Sequence, residues 1–148
     1  MGLNFNQFAK EANTFLKAYA AELNLGKDTD KAGRILSSIL HGLREVISTE
    51  ESLQLIAQFP MFLKAIYVNG WSGKTKIKVK SLEDFIDLIR DFNGVTSIVD
   101  FESNEIAENY IKSTFIVLRK HISLGELEDI RTVLPKDLKF LIYQNVMF

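Results

Sequence analysis

Apolar residues recur every three or four positions along most of the chain, which is the spacing of one face of an α-helix. The first such segment runs from about Phe5 to Leu23, with Asn4 placed to cap its start and Gly26 suited to the left-handed residue after its end. Its apolar face consists of Phe8, Ala12, Phe15, Leu16 and Tyr19. A second helix is predicted to begin near Asp28 or Asp30. Its inward face consists of Ile35, Leu36, Ile39, Leu40, Leu43 and Ile47.

Two further helices follow from local start signals. Ser48 and Glu51 have the spacing of a capping box, in which the serine hydroxyl accepts the glutamate amide and the glutamate carboxylate accepts the serine amide. This pair predicts the start of a third helix. Pro60 suits the first turn of a fourth helix, where its missing amide hydrogen has no cost, and Asn69-Gly70 ends that helix.

The same signals return 75 residues later. Residues 32–71 laid over residues 107–146 give ten identities in forty positions without a gap. The identical pairs include Arg44/Arg119, Ser48/Ser123, Glu51/Glu126 and Pro60/Pro135. An internal duplication is the simplest explanation. The predicted fold class is therefore all-α: eight helices as two tandem four-helix repeats with pseudo-twofold or solenoid-like packing.

The halves are predicted to form a single domain over residues 1–148, with a first four-helix half at 1–70, a linker at 71–80 and a second half at 81–148. A fifth helix opens at Ser81 with Asp84 and stops at Asn93-Gly94. Residues 95–101 then form an apolar-rich connection, and Ser103 caps the sixth helix.

Composition narrows the classes of function. The 148 residues carry a net charge of −1, so no global field favours nucleic acid or an anionic membrane. The absence of cysteine excludes disulfides, thiol chemistry and Cys-ligated zinc. No basic leader opens the sequence, and its longest apolar runs are far shorter than the roughly 20 residues of a membrane span. We therefore expect a cytoplasmic protein with no membrane partner and no clear nucleic-acid partner.

Three segments resemble a known family. They are Ala32–Arg44, the stretch from Gln58-Phe-Pro-Met-Phe-Leu63 to Gly70-Trp71, and Val117–Leu138. The most specific part is Ser123-Leu-Gly-Glu-Leu-Glu-Asp129 leading into Leu134-Pro-Lys-Asp-Leu138. The chain resembles the bacterial family named domain of unknown function 2267 (DUF2267). Because that family is uncharacterised, the resemblance implies its fold and a bacterial origin but transfers no catalytic residue.

No residue pattern predicts a catalytic, cofactor-binding or metal-binding site. His41 and His121 are not 75 residues apart, and neither has the second histidine of a zincin motif; Glu45, four residues after His41, is typical of a helix surface contact. A group of carboxylates on one side of the fifth helix could bind a cation, but calcium loops supply their oxygens from a glycine-containing turn. This group is Glu83, Asp84, Asp87 and Asp91. A solvated helix face is the favoured interpretation.

Charged residues that recur in both halves are expected to be structural. For Arg44 with Glu51, and for Arg119 with Glu126, we predict an ion pair or cap that holds two helices at their angle; an acid/base pair is the alternative. The alternating lysines of residues 74–80 favour a solvated linker, with a short hairpin, a dimer contact or a nucleic-acid or phosphate contact as alternatives.

The fourth helix is the most distinctive element. Residues 61–68 are apolar nearly all round, whereas residues 136–143 keep three charges, so we expect the fourth helix to lie at the centre where the halves pack. The alternative is a partner or ligand surface. Its candidate residues are Met61, Lys64, Tyr67 and Trp71.

The sequence leaves two classes of function open. The first is a non-catalytic protein-interaction module, with a protein partner or self-association. The second is a small-ligand binder or enzyme that uses a cleft between the halves, with Lys64, Tyr67 and Trp71 as polar handles.

Overall fold

Side-chain oxygens cap the longer helices in the computed structural model, which describes residues 4–73 and 78–143. Each capping oxygen accepts the amide hydrogen bond of the residue three positions on, which satisfies one of the free amides of the first turn. The capping residues are Asn4, Asp28, Ser48, Ser81, Ser103 and Ser123. The helix starts predicted from these residues are confirmed.

All regular secondary structure of the described residues is helical, with no β-strand among them, so the predicted all-α class is confirmed. The helices are α1 (Phe5–Glu22), α2 (Thr29–Val46), α3 (Thr49–Gln58), α4 (Met61–Val68), α5 (Leu82–Asn93), α6 (Ser97–Asp100), α7 (Asn104–Arg119), α8 (Leu124–Val133) and α9 (Phe140–Tyr143). Short 3₁₀ turns lie at Gly94–Thr96 and Lys136–Leu138. None of the helices in these residues is long and apolar enough to cross a bilayer.

The structure differs from the predicted elements in three places. The connection at residues 95–101 contains the additional short helix α6. The predicted eighth helix is divided, because the Leu138 amide donates to the carbonyl of Pro135 in a 3₁₀ turn before α9 begins. The lysine segment predicted as a linker falls partly outside the described residues at 74–77, and within residues 78–80 the side chain of Val79 is buried.

Helix α2 lies at the centre of the core and contacts α1, α4, α5 and α7, while α3 packs against α8. Gly42 lies where α2 packs tightly against α5. A Cβ atom at Gly42 would lie 2.8 Å from Ile89 Cγ1 and 3.3 Å from Phe85 Cε1. Both of these side chains are fully buried, so neither can move aside into solvent.

Two glycines of α2 give a matched pair of substitutions. We expect Gly42→Ala to lower the free energy of unfolding by about 1–3 kcal/mol, because the added methyl overpacks the contact with Ile89. Gly33→Ala meets no atom within 4 Å and is expected to raise the free energy of unfolding by about 0.5–1 kcal/mol through helix propensity. Urea denaturation measures both values; equal effects would mean that the α2–α5 contact is looser than described.

Candidate functional site between α3 and α8

Glu51 and Glu126 occupy equivalent places at the starts of two helices that pack together. Each is the third residue after a capping serine, and its amide donates to that serine hydroxyl, at 3.0 Å for Glu51 and Ser48 and 3.1 Å for Glu126 and Ser123. Because α3 and α8 contact each other, both side chains are directed to one site. The local start signals thus place two carboxyl groups in the contact between the helices.

The two glutamates meet a third acid, Asp129, from the next turn of α8. Carboxylate oxygens of the three residues all lie within 4.8 Å of one another. Glu51 is 9% exposed and Glu126 is 4% exposed, whereas Asp129 reaches solvent. The site is therefore a buried pair of carboxyl groups with one exposed carboxylate at its edge, and we call it the carboxylate cluster.

The environment of Glu126 favours its protonated form. Burial, the hydrogen bond and charge of Glu51, and the charge of Asp129 together raise the pKa of Glu126 to about 8. A protonated Glu126 carboxyl can donate a hydrogen bond to the neighbouring carboxylate of Glu51.

The predicted capping boxes are only half correct. The serine hydroxyls do accept the glutamate amides, but the amide of Ser123 donates to Oε1 of Gln58 at 2.7 Å rather than to Glu126. Packing of α3 on α8 brings the Gln58 side chain to Ser123, which leaves the Glu126 carboxylate directed towards Glu51. A full capping box is instead present at Ser81 and Asp84.

The recurrent arginines bind helix C-termini. Arg44 is 3% exposed, and its Nη1 donates to the carbonyls of Tyr67 at 2.8 Å and Asn69 at 2.7 Å, at the end of α4. Arg119 Nη1 donates to the carbonyl of Ile142, in α9. The salt bridges among the described residues do not join these arginines to Glu51 or Glu126. Each arginine instead donates to carbonyl groups of a later helix.

A family model described as "Uncharacterized conserved protein (DUF2267)" matches residues 12–141 of this sequence. The chain belongs to the DUF2267 family. Among curated proteins, none matches the sequence. The match covers the carboxylate cluster and both arginines, and it assigns no activity to this DUF2267 protein.

The fourth helix is not buried on all sides, contrary to the prediction. Helix α4 contacts α1, α2 and α3, yet Met61 is 51% exposed, Val68 is 40% exposed and Ala65 also faces solvent. Tyr67, predicted as part of a surface, is fully buried, with its hydroxyl 2.6 Å from Ser52 Oγ. The eight-residue helix is too short and too near the surface for the core to enclose it.

The remaining members of the predicted surface are peripheral. Lys64 is half-buried on α4, and Trp71 packs half-buried against the core, with its ring edge-on to Tyr67. The structure therefore does not bring Met61, Lys64, Tyr67 and Trp71 together as one exposed patch. The exposed apolar residues of α4 are Met61, Ala65 and Val68, which are four and then three positions apart. This helical spacing is evident in the sequence.

The two histidines have structural surroundings. His41 Nε2 donates to the carbonyl of Ile66 at 2.8 Å, and burial lowers the His41 pKa despite that hydrogen bond. His121 lies beside Phe15, with ring centroids 5.9 Å apart, and burial also lowers its pKa. Both are therefore neutral near pH 7. The acidic residues of α5 all lie on its exposed side, as the solvated-face interpretation predicted.

A groove formed by α1, the start of α4 and His121 is lined by residues other than the predicted handles. The volume of the groove is about 400 Å³. At its wall, the ring centroids of Phe15 and Phe62 are 5.0 Å apart. The lining residues are Gln7, Lys10, Glu11, Thr14, Phe15, Pro60, Phe62 and His121. Lys64, Tyr67 and Trp71, the predicted polar handles of a ligand cleft, do not line it.

A buried aspartate near α6 was missed by the sequence analysis. Asp100 is fully buried and accepts hydrogen bonds from Arg34 Nε at 2.8 Å, Arg34 Nη2 at 3.0 Å and Asn93 Nδ2 at 3.0 Å. Burial by itself would raise the pKa of Asp100, but these hydrogen bonds outweigh it and hold the pKa below its ordinary value. The one available signal was an acid placed between two apolar residues, Val99 and Phe101.

Proposed function

We propose that this DUF2267 protein is a non-catalytic protein-interaction module whose contact surface is the exposed apolar side of α4. Met61, Ala65 and Val68 make up this side, and we call them the α4 stripe. The observation that carries the proposal is their exposure: 51% for Met61 and 40% for Val68 on a helix with no charged residue except Lys64. Apolar side chains that recur on the wet side of a helix are typical of interaction sites.

The shape of the stripe fits the apolar face of a partner helix. Its three residues span about 10 Å along one side of α4, or two helical turns. Ala65 in the middle has a small side chain, which permits close approach of a second helix between Met61 and Val68. The short length favours a weak, reversible contact.

The stripe is specific to the first half. The residues 75 positions later are Lys136, Phe140 and Tyr143, so a lysine stands where the stripe has Met61. Lys136 thus replaces the apolar Met61, and the aromatic Phe140 replaces the small Ala65. This asymmetry supports a contact that only one half makes.

We further propose that the chain is a single domain of two tandem repeats related by a pseudo-twofold axis. Contacts 75 residues apart support it, because Arg44 binds the Tyr67 carbonyl as Arg119 binds that of Ile142. Equivalent helices also meet each other, α2 with α7 and α3 with α8. A bacterial cytoplasm is the proposed setting, supported by the absence of cysteine.

A photo-crosslinking residue at Ala65 tests the proposed surface. We expect a crosslinker at this position to capture a specific protein or a second copy of this chain from cells. Met61→Lys, which installs the lysine found at residue 136, is expected to reduce that capture about tenfold, since it places a charge within an apolar contact.

The matched control is a crosslinker at Val133, an apolar residue of α8 with 43% exposure. It should capture nothing that depends on Met61. Thermal melting must first establish that Met61→Lys still folds, which its exposure leads us to expect. Equal capture from positions 65 and 133, or capture unchanged by Met61→Lys, would contradict the proposal.

A further inference from the structure

We infer that the carboxylate cluster of Glu51, Glu126 and Asp129 is a binding site for a divalent cation of the size and hardness of Ca²⁺. The site lies where α3 packs on α8, so a bound ion would join the two halves of the chain. Its donors are all carboxylate oxygens, and hard cations prefer such ligands.

The spacing of the oxygens is compatible with one bound Ca²⁺ ion. Oxygens of the three residues lie within 4.8 Å of one another. Two oxygens bound to the same Ca²⁺ at about 2.3–2.6 Å can be up to about 5 Å apart, whereas the corresponding limit for Mg²⁺ is about 4 Å. The limit of 4.8 Å between these oxygens lies within the range that one Ca²⁺ ion can span.

Buried oxygen atoms without partners point independently to a ligand. Oε2 of Glu51 and Oε2 of Glu126 are shielded from solvent, and apart from the contact of the two carboxyl groups with each other neither has a hydrogen-bond partner among residues 4–73 and 78–143. The two side chains are 91% and 96% buried. A buried carboxylate oxygen without a partner loses its hydration, and a cation at this position would compensate for that loss.

No basic residue of the described part of the chain forms a salt bridge with these three acids. The recurrent arginines are directed elsewhere, since Arg44 binds the end of α4 and Arg119 binds α9. A cation that neutralises the charge of these three acids would therefore be a diffusible ion from solution. Asp129 is exposed and offers the ion a route from solvent.

Asp129 adds a third carboxylate to the contact between the equivalent residues Glu51 and Glu126. The residue 75 positions earlier is Gln54, which carries no charge. The third carboxylate is therefore present on one side only, at the solvent edge. Three carboxylates and water together can provide the six to eight oxygens that Ca²⁺ takes.

Thermal melting with CaCl₂ or with EDTA tests the inference on the full chain. We expect about 5 mM CaCl₂ to raise the Tm of the wild type by several degrees above its value in EDTA, and MgCl₂ to raise it less. Asp129→Asn changes an exposed residue and will fold; it is expected to weaken Ca²⁺ binding at least tenfold by calorimetry. Glu126→Gln should abolish the Tm shift.

The control variant is Glu50→Gln, which removes an exposed carboxylate one residue before Glu51 and should leave the Ca²⁺ shift unchanged. Equal melting of the wild type in CaCl₂ and in EDTA would overturn the inference, because the folded protein would then bind no calcium. A calcium shift of the same size in Asp129→Asn and Glu126→Gln would also overturn it, since the ion would be bound elsewhere.

Discussion

Replacing Arg34 with alanine is expected to lower the free energy of unfolding by about 3 kcal/mol near pH 7, because it leaves the charge of Asp100 buried without its main partner. Arg34 makes a two-pronged contact with Asp100, through Nε at 2.8 Å and Nη2 at 3.0 Å. The Asp100 side chain is fully buried, and Asn93 and Thr96 would remain as its hydrogen-bonding neighbours. The contact joins α6 to α2, so its loss should also release α6.

Urea denaturation of Arg34→Ala measures this effect, and Lys31→Ala is the matched control. Lys31 comes from the same helix and donates to the Val99 carbonyl beside Asp100, but this contact is exposed, so we expect a change below about 1 kcal/mol. The depressed pKa of Asp100 contributes stability above the pKa of the unfolded chain, and that contribution is lost as the pH falls. The difference between the wild type and Arg34→Ala should therefore shrink in acid. A loss no larger than that of Lys31→Ala would refute the proposed contribution of Arg34 as the partner of buried Asp100.

Glu126→Gln is expected to make the protein more stable in alkaline solution. The pKa of Glu126 is raised from 4.5 to about 8 by folding, so the folded state holds a proton that the unfolded chain releases. The corresponding stability is complete below about pH 4.5 and is lost as the pH rises through about 8. Glutamine keeps the shape and cannot ionise, so at about pH 9 the variant should exceed the wild type by about 2 kcal/mol in free energy of unfolding.

The measurement is a series of urea denaturations in EDTA across this pH range. The wild type should lose stability between about pH 4.5 and 8, and Glu126→Gln should lose much less. Glu50→Gln lacks an exposed carboxylate of α3 and should follow the wild-type profile. Parallel profiles for the wild type and Glu126→Gln would mean that Glu126 is ionised in the folded protein at neutral pH.

The helices could be predicted from the sequence because their signals are local. Ser48, Ser81, Ser103 and Ser123 each cap the helix that they were predicted to start, since a hydroxyl needs only the amide three residues on. Gly94 takes a positive φ of 79° where α5 was predicted to stop. Such signals do not depend on how the helices pack.

The carboxylate cluster could not be predicted in this way, because it depends on contacts between distant residues. The capping-box spacing assigned the Glu126 carboxylate to the Ser123 amide, but Gln58, from 65 residues earlier, takes that amide. Only the packing of α3 on α8 brings Glu51 to Glu126. Sequence spacing alone gives no information on that contact.

The α4 stripe was partly predictable. The apolar composition of residues 61–68 indicated an unusual helix, but it led to the prediction that this helix is buried on all sides. The structure separates buried Tyr67 from exposed Met61 and Val68, because the packing of α4 against α1, α2 and α3 leaves these two residues exposed. Asp100 was not predictable, since its partner Arg34 lies 66 residues away in the chain.

A ¹³C NMR titration of the glutamate carboxyl groups tests most directly whether Glu51 and Glu126 form one buried acid pair. In EDTA the wild type should show a glutamate carboxyl that titrates with an apparent pKa of about 8, and Glu51→Gln should move that titration towards the ordinary value. If all glutamate carboxyl groups of the wild type titrate near 4.5, the two carboxyls do not meet as described, and the carboxylate cluster is not a site.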